Sequence, residues 1–201
     1  MNYDVIVVGG GPTGLWLASE LALARVRVAV LEKLRVPTAL SKALGLQSRA
    51  MEMLEYRGIL DRFTAGNPTP PFLNFGMFPL DLRKLDFHHP RGVIIPQARV
   101  EALLEEHAKE LGAAIHRGHE VTKFHQDAQG VKVEVQMQSE SFELEASSAS
   151  FDRNHSLSEG CPVATHARPK TCTRDFFWFE FSESFEGLFL RIERDSFLPD
   201  S

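Results

Sequence analysis

Three glycines near the start of the chain, Gly9, Gly11 and Gly14, stand in the spacing G-x-G-x-x-G. Residues so spaced can hold a pyrophosphate without any charged side chain. The first glycine permits a tight turn, the second lets a phosphate approach the backbone, and the third lets a helix pack closely on a sheet. If a helix starts here, its unpaired N–H groups and the positive end of its dipole face the same point. Alone the pattern is weak, because a glycine turn at a strand end has the same spacing. A second candidate group, Glu32, lies at about the distance expected of a carboxylate that accepts hydrogen bonds from ribose hydroxyls.

These residues need a strand, a helix and a second strand to position them, and the flanking sequence predicts all three. Tyr3 to Val8 is a short valine- and isoleucine-rich run ended by glycine, as in a buried parallel strand. Pro12 sits where a first helical turn tolerates it, and Leu15 to Leu23 is rich in leucine and alanine. Val26 to Leu31 is again apolar and ends on Glu32. This context turns a weak motif into a dinucleotide site. It leaves open whether the ligand is NAD or FAD.

Further along, Gln47 to Tyr56 reads as a helix, 72–87 as hairpin strands, and Val93 to Ile95 as a short strand. Val100, Leu103, Leu104, His107 and Leu111 follow helical spacing, so 97–111 is an amphipathic helix stopped by Gly112. Strands are expected at 113–117 and 121–125. Val131, Val133, Val135 and Met137 alternate with polar residues as in a half-buried antiparallel strand, with Phe142 and Leu144 on its partner. The fold class that follows is α/β and Rossmann-like, a parallel sheet with helices and an antiparallel β-meander. After about Ala146 periodicity stops. A Ser-, Arg- and His-rich stretch leads to the aromatic run Phe176-Phe177-Trp178-Phe179-Glu180-Phe181. The reading therefore divides the chain into a cofactor-binding unit, 1–146, with about 68–92 as a hairpin insertion on the substrate side, and an atypical tail, 147–201, expected to be poorly ordered, as a frame shift or premature junction would leave it.

Composition limits the partners. The net charge is −5 with both signs mixed, so no basic face is expected for nucleic acid. Glu20, Arg25 and Arg27 interrupt the longest apolar stretch, so it cannot span a bilayer. Cys161 and Cys172, without a secretion signal, read as free thiols, and a cytoplasmic location is expected. His88-His89-Pro90 invites a metal reading. Adjacent histidines are expected to point in different directions, and no second ligand pair has metal spacing, so no metal site is assigned.

The chain resembles the single-component FAD-dependent aromatic hydroxylases related to p-hydroxybenzoate hydroxylase, and among them the branch acting on polyketides and rifampicin. The resemblance is carried by 3–33, by Ser41-Lys42-Ala43-Leu44-Gly45-Leu46-Gln47-Ser48-Arg49-Ala50-Met51-Glu52-Met53-Leu54 and by Arg57-Gly58-Ile59-Leu60. It continues through Ile95-Pro96-Gln97-Ala98-Arg99-Val100-Glu101, Glu110-Leu111-Gly112-Ala113, Arg117-Gly118-His119-Glu120-Val121 and Gly130-Val131. It implies FAD as cofactor, NAD(P)H as transient co-substrate, molecular oxygen, and an aromatic or polyketide substrate to be hydroxylated. Gly9, Gly11, Pro12, Thr13 and Gly14 would hold the pyrophosphate and Glu32 the ribose, with Lys33 beside the adenine end. Lys42 stands where the family usually has arginine near the pyrophosphate and the isoalloxazine side; lysine keeps the charge and loses the planar fork. Gln97 matches a glutamine at the ribityl region, and Val121 a position whose backbone meets the adenine. Simpler roles exist for three of these positions: a solvated loop charge for Lys42, a polar helix start for Gln97 and a helix-surface ion pair for Arg49. No catalytic residue is assigned. Two later family motifs, Asp-Gly and Gly-Asp, do not occur anywhere in the 201 residues. The alternative reading is therefore a catalytically inactive, truncated FAD- or nucleotide-binding fragment.

Overall fold

A computed structural model describes residues 3–37, 42–75, 77–86, 88–89, 91–127, 130–138 and 140–151. Most of the expected tail, with both cysteines and the aromatic run, lies outside these residues.

Strand β1 (Tyr3–Val8) leads through Gly9-Gly10-Gly11 into helix α1 (Pro12–Leu23), and the chain returns in β2 (Val28–Glu32). β1 and β2 pair in parallel, Val5 opposite Val28 and Val8 opposite Leu31. Residues alternate between the two faces of β1, and both faces are covered. Val7 packs with Leu17, Ala18, Ala22, Val28 and Val30 on the α1 side. Ile6 and Val8 pack with Leu31, Val121, Val131, Val133 and Val135 on the other. Each fully buried aliphatic side chain here contributes about 1.5–3 kcal/mol.

After β2 come β3 (Gly45–Leu46), α2 (Ser48–Tyr56), α3 (Leu60–Thr64), the hairpin β4 (Phe72–Phe75) and β5 (Phe78–Asp81), a 3-10 turn at Leu82–Lys84, and β6 (Val93–Ile94). The long helix α4 (Gln97–Glu110) lies against α1. Its apolar stripe, Val100, Leu103 and Leu104, shares a cluster with Leu15, Met51, Leu54, Phe63 and Ile95. β7 (Ala114–Arg117) joins β2 in parallel, and β8 (Glu120–Gln126), β9 (Val131–Met137) and β10 (Glu140–Phe151) form the meander. The six-stranded sheet runs β7-β2-β1-β10-β9-β8.

Two differences from the sequence reading bear on the site. The two-residue β3, where no strand was expected, pairs antiparallel with β6 and ties the segment after Lys42 to the segment before Gln97. β10 does not stop near Ala146. It runs to Phe151, pairing antiparallel with β9 up to Ala146 and parallel with β1 from Ala146 to Phe151. The boundary placed after Ala146 therefore falls inside a strand that is central to the sheet.

Candidate cofactor site

The carboxyl ends of the paired strands β1 and β2 meet at the glycine turn. Gly9 has φ 110°, a conformation open to glycine and strained for other residues. Its N–H donates to Leu31 O at 2.8 Å, which fastens the turn to β2. Gly14 is constrained by space. A Cβ there would sit 2.0 Å from Gly9 O and 3.3 Å from Val7 Cγ1. Gly11 is the N-cap of α1 and Pro12 its first residue, and no side chain caps this helix end. The orphan N–H groups and positive dipole end of α1 are thus presented at a loop without side chains, which fits a pyrophosphate.

Glu32, at the end of β2, is half-buried and turned toward this loop. Its Oε2 accepts from Gly10 N at 2.6 Å and its Oε1 from Leu34 N at 2.8 Å. Each carboxylate oxygen keeps a second lone pair for a ribose hydroxyl. The pair Gly10–Glu32 escaped the sequence reading. A Cβ on Gly10 would lie 3.0 Å from Glu32 Cβ, so the middle glycine of the run is there to let the carboxylate close on the backbone. The signal was present as a fourth glycine, at a position where the spacing demands none.

The remaining predicted residues fall into two groups. Lys33 is exposed and follows Glu32 directly. The β7–β8 turn is bonded to the same place, His119 N to Glu32 O at 2.9 Å and Gly118 N to Leu34 O at 3.3 Å. Val121 follows in β8 with its side chain buried against Ile6, Val8 and Leu31. Pro12 and Thr13 form the first turn of α1. The second group is Lys42 and Gln97. Gln97 N donates to Ala43 O at 3.0 Å, so the exposed Lys42 and the start of α4 lie side by side. The Gln97 side chain donates to Glu101 Oε1 at 2.8 Å. Leu15, next to Gly14, packs in one cluster with Ile95 and Val100, which links the two groups through the core. Arg49 pairs with Glu52 at 2.8 Å along α2, the helix-surface ion pair expected of it.

The histidine pair departs from expectation. The rings of His88 and His89 do not diverge. Their centroids lie 4.8 Å apart, and both Nε2 atoms face one carboxylate oxygen, Glu55 Oε2, at 3.1 and 3.0 Å. Alternation of side chains holds in a regular strand, and these residues sit in a bend.

A family model described as FAD binding domain matches residues 2–148. The 12-dehydrotetracycline 5-monooxygenase/anhydrotetracycline 6-monooxygenase of Streptomyces rimosus is 48% identical over 137 residues, 67% of this chain and 27% of that protein. The rifampicin monooxygenase of Streptomyces venezuelae is 46% identical over 135 residues, 66% of this chain and 28% of that protein. Among solved structures, the anhydrotetracycline hydroxylase OxyS of Streptomyces rimosus superposes with a TM-score of 0.72 at 44% identity, covering 75% of this chain and 31% of that one. The chain thus spans under a third of the length of these relatives.

Proposed function

The chain belongs to the FAD binding domain family, and from that premise we propose that it supplies the cofactor-holding part of an NAD(P)H-dependent monooxygenase that hydroxylates an aromatic or polyketide substrate. The observation that carries this reading is the cradle at the end of β1. It combines an uncapped helix start, a Gly14 that admits no Cβ, and a Glu32 carboxylate locked onto Gly10. The relatives named tetracycline and rifampicin monooxygenases support the substrate class.

In this assignment the backbone from Gly9 to Gly14, with Pro12 and Thr13 in the first helical turn, receives the pyrophosphate. Glu32 receives the adenosine ribose, with Lys33 and the Val121 backbone on the adenine side. Lys42 and Gln97 stand on the flavin side, where lysine offers charge without a bidentate fork. FAD, when bound, supplies the redox chemistry that couples NAD(P)H and oxygen to hydroxylation. The chain's own part is binding and orientation. The test is the visible spectrum of the purified protein after incubation with FAD and desalting. Retained flavin absorption is expected, and its loss in Gly14→Ala, where the added methyl overlaps Gly9 O. A protein that stays colourless would overturn the assignment. Retained flavin with no NAD(P)H oxidation in the presence of substrate would instead favour the inactive nucleotide-binding fragment.

A further inference from the structure

We propose that Glu55, His88 and His89 form a binding site for a divalent transition metal of the zinc type, one that clasps the loop between β5 and β6 onto helix α2. The three ligand atoms lie within 4.8 Å of one another. Glu55 is the penultimate residue of α2, and the two histidines come from a segment more than thirty positions later. The loop is already docked on that helix, because His88 N donates to Glu52 Oε1 at 3.2 Å and Glu52 is held in turn by Arg49.

The arrangement around Glu55 Oε2 asks for a cation. The His89 side chain is four-fifths buried, and its Nε2, though 3.0 Å from that oxygen, has no hydrogen-bond partner. A metal ion seated between this nitrogen and the carboxylate would bond to both. The nitrogen–oxygen separations of 3.1 and 3.0 Å are close to the edge of a tetrahedron with bonds of about 2.0–2.1 Å, roughly 3.3 Å. Two imidazoles and one carboxylate suit zinc, cobalt, nickel or copper, whereas magnesium and calcium prefer oxygen ligands throughout. His88 is 69% exposed, so a water can complete the shell.

The experiment uses the full chain, stripped with chelator and titrated with Zn2+ by calorimetry. It is repeated with Co2+, whose visible bands report coordination number. One Zn2+ per chain is expected, with a rise in melting temperature, because the metal ties two elements together in the folded state alone. The His88→Ala/His89→Ala double variant should lose this equivalent. Glu55→Gln, at the exposed end of α2, should weaken it roughly tenfold or more; it guards against a double variant that fails to fold. His125→Ala, at an exposed histidine of β8, should change nothing. No zinc binding by the intact chain, or a stoichiometry and affinity unchanged in both site variants, would overturn the proposal. The latter would place the metal on other histidines or cysteines. None of these readouts depends on FAD.

Discussion

Glu32 has two uses, and its substitutions separate them. Its carboxylate bridges Gly10 N and Leu34 N, so it shapes the glycine turn before any ligand arrives. In the proposed assignment it also receives the ribose hydroxyls. Glu32→Ala should weaken FAD and ADP binding alike by roughly 1–3 kcal/mol, through loss of charge-assisted hydrogen bonds. Glu32→Gln keeps an acceptor for Gly10 N and should recover part of that loss. Equilibrium titration with both ligands checks this; a loss confined to FAD would move Glu32 away from the ribose. The glycine turn and the place of Glu32 at the end of the next strand were legible because spacing and residue type encode them. The Gly10 contact was not, because it depends on where a side chain from the next strand closes, and no local pattern records that.

At the scale of elements, strands with alternating apolar residues and the α4 stripe were legible, and two strands were not. β3 is two residues long and exists through its pairing with β6. The last part of β10, Ser147-Ser148-Ala149-Ser150, has no apolar alternation to read. It is a strand because β1 offers parallel main-chain partners from Tyr3 to Val8. Within α4, burial sets a pH dependence. His107 is buried, and its Nδ1 lies 3.8 Å from Glu110 Oε2, too far for a hydrogen bond. Desolvation, and then the charge of Arg62, push its pKa below the ordinary histidine value, against a smaller opposing pull from Glu110. The unfolded chain therefore binds the proton more readily than the fold does. Stability from this group is full above about pH 6.5 and is lost as pH falls below that toward the folded pKa. His116, whose pKa burial also lowers, acts in the same direction. His107→Leu should flatten the melting-temperature slope between pH 7.5 and 5.5, leaving the share due to His116. Melts across that range in both proteins decide it, and an unchanged slope would mean that His107 binds its proton equally well in the folded and unfolded states.

For the molecule as a whole, what the sheet holds and what it leaves out can be told apart by ligand competition. The sheet and α1 bring together the residues assigned to the ADP portion, from the β1 turn to the β7–β8 turn bonded at Glu32. On the flavin side the fold offers the exposed Lys42 and a Gln97 whose side chain is engaged with Glu101. The Asp-Gly and Gly-Asp motifs that the resemblance leads one to expect are absent from the 201 residues, and the relatives are more than three times as long as the part they share with this chain. Binding free energy should therefore come almost wholly from the pyrophosphate and adenosine contacts, with the isoalloxazine ring left in water. Two outcomes follow for the 201-residue polypeptide. ADP should compete with FAD at an affinity within about tenfold, a difference of 1.4 kcal/mol or less. Bound flavin should keep the fluorescence and spectral shape of free flavin, because among the described residues the groups assigned to the flavin side are an exposed Lys42 and a Gln97 already engaged with Glu101. With the ring in water the reacting atoms are unprotected, and NADPH added with an aromatic substrate to the 201-residue polypeptide should yield no coupled hydroxylation. Competition titration followed by flavin fluorescence makes the measurement. An FAD affinity a hundredfold above that of ADP, with quenched emission, would show that this chain encloses the ring by itself, and the contacts doing so would then have to be sought beyond the carboxyl ends of β1 and β2.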